Sequence, residues 1–214
     1  MQSLTPPSAS TALQSSRAVD AARRRPWGSV VLFFLIASVG CFVDLATKHW
    51  VFAWRGFSGH HNDVWWIWDG YLGIQTAINY GALFGMGQGY TIVFVGMSFI
   101  TLFGILYWLF TLGAVQDRLL TVALATICGG ILGNLYDRLG LWSIPGVTDT
   151  AAVRDWILFC YGKFTWPNFN IADSMLVCGA IFLVWHSFRS GKEVQRPVDK
   201  NQNAATESDE MIKS

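Results

Sequence analysis

Charge is scarce in this 214-residue chain: Asp, Glu, Lys and Arg make up 14% of it, where soluble domains carry about a quarter. With 52% apolar residues and a mean hydropathy of +0.36, that scarcity excludes an ordinary water-solvated fold and selects a bilayer as solvent. The formal net charge is only +1, so no basic face for nucleic acid is expected. Cysteine is sparse as well. Cys41, Cys128, Cys160 and Cys178 never fall at C-x-x-C spacing, which removes a disulfide framework and a thiolate metal site. No H-E-x-x-H motif and no Ser-His arrangement of a hydrolase is present. Any hydrolytic chemistry must therefore come from other groups, and no metal or other cofactor is expected.

What is abundant is apolar sequence in blocks. Four stretches, Trp27 to Trp50, Tyr90 to Gly113, Leu119 to Leu139 and Ile171 to Ser187, each approach the ~20 residues that a hydrocarbon core demands. Arg17, Arg23, Arg24 and Arg25 precede the first block, Arg118 lies between the second and third, and Arg189, Lys192 and Arg196 follow the fourth. The positive-inside rule then places both termini in the cytoplasm and the stretches His49 to Gly89 and Gly140 to Asn170 outside. These outer loops carry Trp54, Trp65, Trp66, Trp68, Trp142, Trp156 and Trp166, which read as an interfacial aromatic belt. The chain divides into one membrane domain, residues 27–189, between tails at 1–26 and 190–214 that are too polar to bury a core and are expected to be mobile.

The basic N-terminal flank leads into a block too long for a cleaved signal peptide and without a small-x-small exit site. Ser38-Val39-Gly40-Cys41 loosely suggests a lipidation site, but Ser38 stands where a large aliphatic residue is usual, and Cys41 is expected to serve packing.

Charge inside the blocks is informative because each Asp, Lys or Arg at a span centre costs about 2.5–3.5 kcal/mol on insertion scales. Asp44 and Lys48 stand four apart, on one helix face, where each offsets the other's charge; the bland reading is a helix-end ion pair. In the third block Gly129, Gly130 and Gly133 permit close helix approach, and Asn134, Asp137 and Arg138 follow on neighbouring turns, more polarity than packing needs. Asp173 opens the fourth block just after Asn170, where a helix dipole favours an acid. Under the expected topology Asp44, Lys48, Asn79, Asn134, Asp137, Arg138, Asp155 and Asp173 all gather toward the outer leaflet, which predicts one polar site there.

Two carboxyls in a poorly solvated site share a proton, one acting as base while the other donates, as in aspartic proteases. Spacing alone does not choose the pair. Asp44 and Asp137 have adjacent cations, Lys48 and Arg138, but Asp155 also neighbours Arg154.

Five blocks resemble, in order, the motifs of the lipoprotein signal peptidases: Asp44-Leu-Ala-Thr-Lys48, Asn79-Tyr-Gly81, Gly129 through Asn134 to Asp137-Arg138, Val153-Arg-Asp155, and Phe169-Asn170-Ile-Ala172-Asp173. The resemblance covers about Gly28 to Arg189. It implies a four-helix membrane enzyme with a small β-sheet cradle and an interfacial helix in the first outer loop, and the alternation from Leu72 to Ile78 is compatible with a strand of it.

The resemblance further implies Asp155 and Asp173 as the catalytic dyad. Asn134, Arg138 and Asn170 would organise the site, while Asp44, Lys48, Asn79, Gly81, Asp137, Val153 and Ala172 would serve substrate contact or local structure. The implied substrate is a prolipoprotein carrying diacylglyceryl on its lipobox Cys, cut on the N-terminal side of that Cys by a monomer in the bacterial inner membrane.

One stretch departs from the pattern. Leu139 to Ala152 makes the gap before Val153 long for the family, and Asp149 within it is a rival to Asp155. His60, His61 and Asp63 admit a metal reading, against which a solvated loop is the bland one. A transporter would carry polar residues through the whole bilayer depth, and a scaffold would not need so many aspartates.

Overall fold

The computed structural model describes residues 27–57, 64–81, 89–144, 147–148 and 150–193. The tail at 1–26, residues 194–214 of the other tail, His60, His61, Asp63 and Asp149 lie outside the described residues, while residues 190–193, expected in the C-terminal tail, continue the last helix. Four helices are long and apolar enough to cross a membrane. They are α1 (Trp27–Arg55), α2 (Thr91–Phe110), α3 (Arg118–Arg138) and α4 (Ile171–Glu193). A 3-10 turn at Ala114–Gln116 joins α2 to α3.

α3 is the central helix: two thirds of its most apolar window is buried, against less than a fifth for each of the others. It packs on α1, α2 and α4, and its glycines make that possible. A Cβ on Gly130 would stand 2.6 Å from the Ala172 carbonyl of α4, and one on Gly129 2.9 Å from the Ala37 carbonyl of α1. Such contacts are closer than any side chain allows, so backbone meets backbone on both flanks of α3. Toward the N-terminal end of α1, Phe33, Ala37, Ile105, Leu109, Leu120 and Leu124 form part of a continuous apolar cluster. At that end Asp117 caps α3 by accepting the Leu120 N–H at 3.0 Å, and its other oxygen meets His186 Nε2 at 2.8 Å.

The opposite end carries a four-stranded antiparallel sheet in the order β1 (Trp65–Trp68), β2 (Leu72–Asn79), β3 (Val153–Tyr161) and β4 (Phe164–Phe169). This corrects the expectation of a cradle built from the first outer loop. That loop supplies β1 and β2, while the central β3 and the edge β4 come from the second, paired across about 80 residues of chain, with Ala77 opposite Asp155 and Asn79 opposite Val153. The expected interfacial helix of the first loop is not among the described residues. Trp54, Trp65 and Trp68 are exposed as an interfacial belt requires, but Trp142 is buried and belongs to the interior.

Candidate active site

The sheet meets the bundle where the C-terminal ends of α1 and α3 and the N-terminal ends of α2 and α4 converge. A cavity of about 720 Å³ opens there, lined by Asn79, Asn134, Arg138, Val153, Asp155 and Asp173 among others.

β3 delivers Asp155. Side chains alternate across a strand, so Val153 and Asp155 share one face and Arg154 points to the other. Asn79 on β2 lies diagonally across from Asp155, and its NH2 donates to Asp155 Oδ2 at 3.1 Å. Asn79 Oδ1 in turn accepts the Gly81 N–H at 3.0 Å, and the Gly81 carbonyl accepts from Arg138 Nη2 at 3.2 Å. Arg138 also lies over the Phe94 ring at 5.3 Å, which ties α2 to the site.

α4 delivers Asp173 through a reciprocal cap. The Asp173 N–H donates to Asn170 Oδ1 at 2.9 Å while the Asn170 N–H donates to Asp173 Oδ2 at 3.2 Å, so two orphan amides of the helix start are satisfied. The Asn170 NH2 reaches the other way, to Asp155 Oδ1 at 2.6 Å and Asn134 Oδ1 at 3.1 Å. Asn134 donates to Asp173 Oδ1 at 2.8 Å. Asn170 thus touches both carboxyls at once. Burial, together with the charge of nearby Asp173, pushes the Asp155 carboxyl up to about 8, against the smaller opposing pull of the Asn79 bond, Lys48 and the Asn170 bond.

Behind this pair lies a closed ionic cluster. Lys48, fully buried, bonds Asp44 at 2.7 Å, Asp137 at 3.2 Å and Asn134 Oδ1 at 3.0 Å. Asp137 takes Arg154 through Nη2 at 2.7 Å and Nε at 3.2 Å, and accepts the Arg154 backbone N–H at 2.9 Å. Sequence adjacency suggests Arg138 as the cation of Asp137; the actual cations are Lys48 and Arg154, the latter placed by the sequence only as a neighbour of Asp155. Strand alternation is the signal that separates the two, since it turns Arg154 away from Asp155.

Asp44 accepts the Ala172 N–H at 2.8 Å and so caps α4 from another helix. Ala172 is completely buried against α3, close to where a Gly133 Cβ would project, and has no room for a larger side chain.

The structure therefore brings Asp155, Asp173, Asp44, Lys48, Asn79, Gly81, Asn134, Asp137, Arg138, Val153, Asn170 and Ala172 to one end of the bundle. Three buried carboxyls, Asp44, Asp137 and Asp155, and the half-buried Asp173 face three cations, Lys48, Arg138 and Arg154, and neutrality is reached when one carboxyl keeps a proton. A carboxyl pair holding one proton can transfer protons in both directions.

A family model described as signal peptidase (SPase) II matches residues 36–189. A lipoprotein signal peptidase of Rhodopirellula baltica is 49% identical over 180 residues, 83% of this chain and 80% of that protein. One from Bacillus pumilus is 33% identical, covering 77% of this chain and 97% of the relative. A solved structure of a bacterial membrane enzyme superposes with a TM-score of 0.63 at 24% identity, over 79% of this chain and 96% of that one, which establishes a shared fold.

Proposed function

This chain belongs to the signal peptidase II, or lipoprotein signal peptidase, family, and from that premise we propose that it is an aspartic endopeptidase acting through Asp155 and Asp173. It is a multi-pass bacterial membrane hydrolase whose family removes signal peptides from prolipoproteins. In our reading the substrate carries diacylglyceryl on its lipobox Cys, the cut falls on the N-terminal side of that Cys, and the site faces the outer leaflet with both termini inside. The acyl chains stay in lipid while the peptide bond reaches the polar cavity.

The observation that carries this reading is the placement of Asn170, whose NH2 binds Asp155 while its backbone and side chain cap Asp173. Asp173 accepts two N–H bonds in the first turn of α4, where the dipole favours a negative group. Asp155, buried and raised to about 8, keeps its proton at neutral pH. Asp173 accordingly draws a proton from a water, whose oxygen attacks the scissile carbonyl carbon, while Asp155 gives its proton to the carbonyl oxygen. As the tetrahedral intermediate collapses, the C–N bond breaks. The leaving amine, the N-terminus of the lipidated Cys, takes the proton from Asp173, and the hydroxyl returns its proton to Asp155.

The apolar cluster toward the N-terminal end of α1 supports an enzyme over a transporter, since a polar path through the bilayer would have to cross it. The test is cleavage of a diacylglyceryl-modified preprotein by protein in lipid or detergent, read by gel shift and by the product's N-terminus. D155N and D173N are expected to lose cleavage and D149N to retain it; full activity in D155N or D173N refutes the dyad.

A further inference from the structure

We propose that Trp142, in the extended stretch between Arg138 and Val153, is a positioning residue for Asp155. The inference rests on the dyad reading above. The chain leaves α3 at Gly140, whose φ of +69° puts it in the left-handed region, and its N–H bonds the Asp137 carbonyl at 2.9 Å. It then folds Trp142 back beneath the helix end.

There the buried indole makes three contacts. Its Nε1–H is shared between the Asp137 carbonyl, which the Gly140 N–H also bonds, and the Ala152 carbonyl just before β3, each at 3.1 Å. Its ring lies under the Arg154 guanidinium at 5.1 Å. The same guanidinium is held by Asp137, which also accepts the Arg154 N–H. One side chain therefore bolts the end of α3, the residue before β3 and the first charged residue of β3 into a single unit.

Asp155 is the next residue and faces the opposite side of the strand. A rotation or slip of Val153–Asp155 would move its carboxyl away from Asn79 and Asn170, the two amides that hold it. Trp142 lies behind β3 and does not line the substrate cavity. Its loss should misplace the carboxyl without weakening substrate binding.

The test measures kcat and KM for a diacylglyceryl-modified preprotein with W142F, which keeps a ring over Arg154 and removes both N–H bonds. The expected result is a kcat lower by about ten-fold or more, the scale of a misplacement below 1 Å, with KM and the unfolding temperature close to wild type. W142H, which retains a ring N–H, should recover part of the loss. Wild-type kcat in W142F overturns the proposal, as does a loss confined to KM. Should W142F fail to fold, W142H and W142L are compared in native membranes at matched protein level, and equal rates for the two overturn it. D155N and D173N run alongside: if they cleave, the dyad reading fails, and if they do not while W142F is unimpaired, only the role of Trp142 fails.

Discussion

Lys48 and Asn134 are joined by a 3.0 Å hydrogen bond whose polarity is fixed by chemistry. An ammonium only donates, so Asn134 turns its oxygen to Lys48 and its NH2 to Asp173, which it meets at 2.8 Å. The ionic cluster thereby orients the amide that holds the proposed base.

Asn134→Leu removes that donor and leaves Asp173 Oδ1 without its side-chain partner. Such a loss costs about 1–3 kcal/mol, about 5- to 150-fold in kcat if the transition state bears it. Asn134→Asp is expected to be worse, since it keeps the oxygen for Lys48 but turns a second acceptor toward the Asp173 carboxylate. Single-turnover cleavage of the two variants checks the order; a fully active N134D removes Asn134 from the site.

The raised carboxyl of Asp155 sets two pH dependences. Cleavage needs its proton, so kcat should fall as pH rises through about 8, and a flat profile from 7 to 9.5 sinks the assignment of Asp155 as the proton carrier. For stability, an unfolded Asp155 ionises near the ordinary 3.8 while the folded one holds its proton to about 8, so its contribution is complete below 4 and is lost as pH climbs from 4 to 8. D155N removes this slope and should unfold at a higher temperature than wild type at pH 8. Melting curves of both proteins at pH 5 and pH 8 measure the difference.

The four spans and the Asp44–Lys48 pair are legible in the sequence because hydropathy and the i, i+4 period are local properties. The partner of Asp137 is not, because Arg138 is one residue on and about 100° around the helix, so it turns toward Gly81 and Phe94 while the distant Arg154 fills the space. The sheet is legible only in its β2 half. Trp156 to Tyr161 is an apolar, aromatic run, and the pairing of its strand with Leu72–Asn79 is set by tertiary contact that no local period encodes. Trp142 reads as one more interfacial tryptophan until the fold turns it inward.

Close helix approach at the site makes Gly133 a sensitive position. A Cβ there would collide with the Asp44 carboxylate and stand 3.3 Å from the Ala172 Cβ. Gly133→Ala should push α1 or α4 off α3 and cost about 1–3 kcal/mol, with cleavage falling because Asp44 can no longer reach the Ala172 N–H. Gly96 on α2 has open space around it, and Gly96→Ala, which also favours the helix, should leave stability unchanged or improved. Thermal unfolding of the two variants in one detergent makes the comparison, and equal melting temperatures contradict the packing assigned to Gly133.

Lys48 is the strongest test of the ionic cluster, because it stands fully buried between two carboxylates. Lys48→Met keeps most of the side-chain length and leaves Asp44 and Asp137 buried with one cation, Arg154, which pairs with Asp137. Breaking a buried pair from one side costs about 3–5 kcal/mol, so K48M should unfold well below wild type. Adding Asp44→Asn removes the stranded charge and keeps an oxygen for the Ala172 N–H, and D44N/K48M should recover part of that loss. Stability is then expected to return further than activity. The double variant balances charge but offers Asn134 no ammonium, so nothing fixes the amide toward Asp173. Recovery of melting temperature without recovery of kcat separates the two duties of Lys48; equal recovery of both shows that charge balance alone is what the site requires of it.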